Sequence, residues 1–172
     1  MTGEIPDIFT AGYGNRGFGA FIALVQRLGV THLVDVRSVP QSIYWEDFRR
    51  QNLEVLVPPT GLKYIYMGDT LGGVQNSPVL CKDPDSVDIN PLFEVPELQL
   101  GLNVLLKAAR VPGRVLCLMC GCKKPHSCHR SRLLGEALLQ RGVELIHIDA
   151  DETLKTQRIV AQEQAGFQQS LF

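Results

Sequence analysis

Val115 to Met119 (VLCLM) is an unbroken apolar run between a Pro112-Gly113 turn and a loop crowded with cysteine, glycine and proline. A strand with no polar alternation has both faces buried, and a sheet covered by helices on each side supplies that environment. Four more short runs repeat the theme: Ile8 to Ala11, His32 to Val36, Leu62 to Met67 and Val143 to Ile148. Helical spacing fills the intervals. Phe18, Phe21, Ile22, Val25 and Leu28 recur on one face, as do Trp45, Phe48, Asn52, Leu53 and Leu56 within Tyr44 to Leu56. Leu98, Leu102, Leu105, Leu106 and Ala109 form the stripe of Glu97 to Arg110, and Leu134, Ala137 and Leu138 precede Gly142. Gly29, Pro58-Pro59-Thr60-Gly61 and Pro112-Gly113 supply the stops. Strand and helix alternating in this way predict an α/β fold: a single three-layer domain with a mostly parallel sheet of about five strands and helices on both faces.

Residues 1–150 are expected to form this domain. Within them, 75–96 reads as an irregular loop or lid, with Pro78, Pro84, Pro91 and Pro96 and the acids Asp83, Asp85 and Asp88. Residues 151–172 read as a polar C-terminal helix from Glu152 to Gln164 and a tail. The formal net charge of -1 excludes a basic nucleic-acid coat, so any nucleic-acid contact has to be a local patch. No apolar run is long enough to span a bilayer, and the N-terminus carries no charged-then-apolar leader. The chain is therefore expected in the cytoplasm, away from membranes. There, five cysteines suggest chemistry or metal in preference to disulfides; Cys81 reads as an incidental thiol.

The functional groups gather where predicted strands end, the edge at which α/β sheets place their sites. Gly12 to Gly17 (GYGNRG) follows the first strand, Asp35-Val36-Arg37-Ser38 the second and Gly68 to Gly73 the third. The fourth runs into Cys120, Cys122, His126, Cys128, His129 and Arg130, the last of these at a helix start. Arg16, Arg37 and Arg130 around unpaired N–H groups describe an anion pocket, to which Tyr13, Gly72 and Gly73 would contribute. Asp35 reads either as a base or as the partner of a neighbouring arginine.

Three roles are open to the cysteine cluster. Cys128 at a helix N-terminus beside His129 suits a thiolate nucleophile, with Asp35 and His129 as its catalytic companions. A tyrosine-phosphatase loop is disfavoured, because positions 126, 128 and 134 hold His, Cys and Leu where that loop needs Arg. Cys120, Cys122, Cys128 and His129 offer soft ligands for zinc, although adjacent Cys128 and His129 are expected to diverge at a helix start. Finally, buried thiols can serve packing alone.

GYGNRGFGAF, THLVDVRSVP, GLKYIYMGDTLGG and the Cys-His-Arg of KPHSCHRSRLL together resemble domain-of-unknown-function family 488. Cys120, Pro125, Cys128, His129 and Arg130 match its arrangement of a strand ending in Cys, a loop with Pro, and Cys-His-Arg; Cys122 lies outside that arrangement. The resemblance implies a fold and a site without a reaction. The residues themselves favour an enzyme acting on a phosphate-bearing ligand, such as a small molecule, a nucleotide or a nucleotide within nucleic acid. The rivals are a non-catalytic ligand sensor and a zinc module. At the tail, Gln168, Leu171 and Phe172 resemble the short peptide by which bacterial replication and repair proteins dock on the sliding clamp, which would place the chain in DNA repair.

Overall fold

The computed structural model describes residue 5, residues 7–72 and residues 86–170. At its centre lies one six-stranded sheet: β1 (Ile8–Gly12), β2 (His32–Asp35), β3 (Lys63–Tyr66), β4 (Leu116–Cys120), β5 (Leu145–Ile148) and β6 (Leu154–Thr156), ordered β3-β2-β4-β1-β5-β6. The first five strands are parallel and β6 joins β5 antiparallel. The helices are α1 (Phe18–Arg27), α2 (Arg50–Leu56), α3 (Gly68–Leu71), α4 (Pro96–Ala109), α5 (Glu136–Leu139) and α6 (Gln157–Ser170). No helix among the described residues is long and apolar enough to cross a membrane.

Every residue of β1, β2 and β4 is buried, which is why these strands read as continuous apolar runs, whereas β3 at the sheet's edge alternates in exposure. The period of two sends Leu116, Leu118 and Cys120 toward α4 and the helix after β4. Cys117 and Met119 point the other way, toward α1 and α2. Two elements depart from the expected pattern. Tyr44 to Leu56 is broken at Arg49, whose extended backbone (φ -69, ψ 139) separates a short 3-10 turn, Glu46–Phe48, from α2. Phe48, at the end of that turn, stacks on Tyr13 at 4.0 Å. After β5, Glu152 adopts φ 69 and the Asp149 N–H donates to the Thr153 carbonyl, so the chain reverses and forms β6 before α6 begins.

This topology locates the site. β1 and β4 are neighbours, yet α1 leaves β1 for one face and the helix after β4 takes the other. The diverging connections open a crevice beyond the strands' carboxyl ends, the usual site position in open α/β sheets. Beneath it runs a buried polar chain. Thr10 Oγ1 lies 2.6 Å from His147 Nδ1, and His147 Nε2 lies 2.7 Å from Gln157 Oε1. Gln157 Nε2 donates to the Ser131 carbonyl and to Glu136 Oε1. Because Gln157 Oε1 only accepts, His147 carries its proton on Nε2 and accepts from Thr10 on Nδ1.

Burial holds His147 down to about 4, so the folded protein keeps it neutral where an unfolded chain, at about 6.5, takes up a proton. Stability is therefore predicted to fall as pH drops from about 6.5 toward 4, this residue contributing roughly 3 kcal/mol to the loss. Urea denaturation across that window should show the loss in the wild type and a flatter profile in His147→Gln. Parallel profiles would contradict it.

Candidate metal centre

Cys120 ends β4, and Cys128 and His129 return to it after the loop. Their ligand atoms all lie within 4.8 Å of one another, and all three residues are buried. His129 Nδ1 is 3.9 Å from Cys120 Sγ and 3.7 Å from Cys128 Sγ. A tetrahedral zinc ion with Zn–S about 2.3 Å and Zn–N about 2.0 Å sets sulfur and nitrogen about 3.5 Å apart. The observed spacings are within a few tenths of an ångström of that geometry. The other ring nitrogen, Nε2, is 3.0 Å from the Val36 carbonyl, which can only accept; Nε2 therefore carries a proton and Nδ1 is the nitrogen turned to the sulfurs. A ligating histidine bonded through its second nitrogen to a backbone carbonyl is the common supporting arrangement at metal sites.

The expected divergence of Cys128 and His129 does not occur. Cys128 is still extended (φ -125, ψ 146) after the 3-10 turn Pro125–Ser127, while His129 is already helical (φ -59, ψ -23). The chain changes direction between them and both side chains reach one point. The helix opens as a six-residue π-turn, Arg130–Gly135, a conformation frequent at functional sites. Gly135 suits it, since a Cβ there would sit 2.1 Å from Gln157 Oε1. Gly12 is required for a similar reason: a Cβ would lie 1.7 Å from the Cys122 carbonyl oxygen, so only glycine lets the cysteine loop cross the end of β1.

Cys122 is half-buried and interacts with the Cys120 and Cys128 sulfurs, but it lies outside the group of three whose ligand atoms converge. Hydrogen bonding from Cys122 and Cys128 outweighs burial and pulls Cys120 well below the usual thiol range. The same interactions, with burial, push Cys122 far up, so it is the member that keeps its proton. Burial opposes a charged His129, yet the Cys128 and Cys120 sulfurs raise it well above an ordinary imidazole. Cys117, on the opposite face, is an inert thiol pushed up to about 12 by burial. Cys128 is fully buried, so as a nucleophile it has no open side.

The three arginines do not form the expected open anion pocket. Arg37 makes a bidentate pair with Asp35 (2.9 and 2.7 Å) and a bond to Tyr13 Oη at 3.2 Å. Burial opposes the Arg37 charge, but the Asp35 bonds outweigh it and raise its pKa. Tyr64 Oη donates to the same carboxylate at 2.6 Å, so Asp35 serves as a fully buried partner. Arg16 donates to the carbonyls of Gly12, Asp149 and Ala150. Arg130 Nη1 donates to Thr10 Oγ1, and its Nη2 to the carbonyls of Cys122 and Lys123. Tyr13 is spent on Phe48 and Arg37, and Gly72 is buried at the end of α3. Gly73, Cys81, Leu171, Phe172 and the Gln168 side chain lie outside the described residues. Sequence reasoning missed the Thr10–His147–Gln157 chain. Its available signal was a histidine set inside an apolar strand.

These features define an α/β domain with a thiol–imidazole centre at the switch point of its sheet. The family model described as "Domain of unknown function DUF488" matches residues 18–138, and the chain belongs to that family. No curated protein and no solved structure matches it.

Asp35→Ala would leave the Arg37 charge buried and unpaired, at a predicted cost of about 3–5 kcal/mol in unfolding free energy. Adding Arg37→Met should recover most of it. Denaturant titration measures both, and a loss below about 1 kcal/mol for the single variant would show the pair to be dispensable.

Proposed function

We propose that the protein is a metal-binding α/β domain of the zinc class, holding one ion through Cys120, Cys122, Cys128 and His129. One observation carries this: three buried ligand atoms converge within 4.8 Å, with the imidazole already locked through Nε2 to Val36. Three sulfurs and one imidazole are a soft donor set suited to Zn²⁺, and four protein ligands fill a tetrahedral shell. The role is therefore structural. The ion joins the end of β4, the loop across β1 and the helix start to the chain leaving β2. Clustered reduced thiols fit a reducing compartment such as the cytoplasm. A phosphate or nucleotide reading gains nothing from Arg16, Arg37 and Arg130, whose donors turn inward.

Protein purified without chelator should contain about one equivalent of zinc by elemental analysis, and stripping it should lower the melting temperature by roughly 10 °C or more. Cys120→Ala, Cys128→Ala and His129→Ala should each retain under about a fifth of an equivalent. Zinc-supplied wild type with less than about a tenth of an equivalent, and no thermal shift on adding zinc, would end the proposal.

A further inference from the structure

We propose that Arg130 is the buried counter-cation of this centre; the inference rests on the metal reading above. Arg130 is fully buried and is the largest such side chain. Among the described residues it pairs with no carboxylate: its bonds go to the Thr10 hydroxyl and the Cys122 and Lys123 carbonyls, all neutral. Its Nε has no hydrogen-bond partner at all. A full charge taken out of water against neutral acceptors alone is costly, and folded proteins rarely leave it without an opposing charge. Yet a nearby ion pair would be easy to build, as Asp35 and Arg37 show one strand away.

The metal centre supplies the missing charge. A divalent ion bound by three thiolates and one neutral imidazole carries one net negative charge, and the Arg130 guanidinium cancels it. A monovalent ion in the same ligands carries two net negative charges and depends on the guanidinium still more. The placement fits. Arg130 follows the ligand His129 in the chain, and its Nη2 holds, at 2.8 Å, the carbonyl of Cys122, another ligand. It therefore also positions the loop that closes the centre.

The test compares wild type, Arg130→Lys and Arg130→Gln for Zn²⁺ and Cu⁺ affinity by chelator competition, and for stability with and without zinc. Gln keeps a donor but removes the charge, and should weaken Zn²⁺ binding by roughly 10- to 100-fold. Cu⁺ binding should weaken more, because its centre carries one more negative charge and depends more on the guanidinium. Lys keeps the charge and should stay within a few-fold of wild type. The effect on stability should change sign, Gln destabilising the zinc-loaded protein but leaving the metal-free protein as stable or more so. A purely structural role would lower both. Equal Zn²⁺ affinity in wild type and Gln, with an unchanged Zn²⁺/Cu⁺ ratio, overturns the counter-cation and leaves the metal site standing. If Gln does not fold without metal, Lys decides: a loss of Zn²⁺ affinity in folded Lys protein overturns the proposal, and retention supports it. A wild type that binds no zinc overturns the metal reading itself.

Discussion

The hydrogen bond from His129 Nε2 to the Val36 carbonyl, at 3.0 Å, is the contact on which the site depends. It crosses from the helix after β4 to the chain leaving the neighbouring strand β2. It also fixes which nitrogen carries the proton. Without it the imidazole could rotate, and Nδ1 would not be held against Cys120 and Cys128. The bond exists because β2 and β4 are paired in register, Asp35 beside Met119, which brings Val36 level with the start of the cysteine loop.

Around that bond the sheet edge is built from groups that satisfy one another. Asp35, Arg37, Tyr13 and Tyr64 form a closed cluster on the α1 and α2 face. The cysteines and His129 form another on the α4 face, and Thr10, His147 and Gln157 a third beneath them. Buried polar groups are expensive unless each finds a partner, and fully paired networks fix one arrangement of the surrounding elements. Arg130 is the exception: it bridges the second and third clusters and still lacks both an acidic partner and a bond at Nε. Among the described residues no other buried side-chain nitrogen or oxygen lacks a partner, which makes that deficit informative.

The layers of the fold were legible because burial on both faces leaves a plain mark, as in Val115 to Met119. β6 was not, because three residues following a hairpin with Glu152 at positive φ carry almost no periodicity. The clustering of cysteine and histidine at one strand end was legible too, and Cys120, Cys128 and His129 do come together there. Their roles were not. Sequence spacing cannot show whether an arginine faces solvent or a carbonyl, and here all three face inward. Nor can it show that an extended Cys128 and a helical His129 aim at one point, which depends on two backbone angles and not on the residue types.

X-ray absorption at the zinc edge of the purified protein tests the central claim most directly. The account predicts a single four-coordinate shell of three sulfurs near 2.3 Å and one nitrogen near 2.0 Å. A shell of oxygen and nitrogen alone, or one with fewer than two sulfurs, would contradict it.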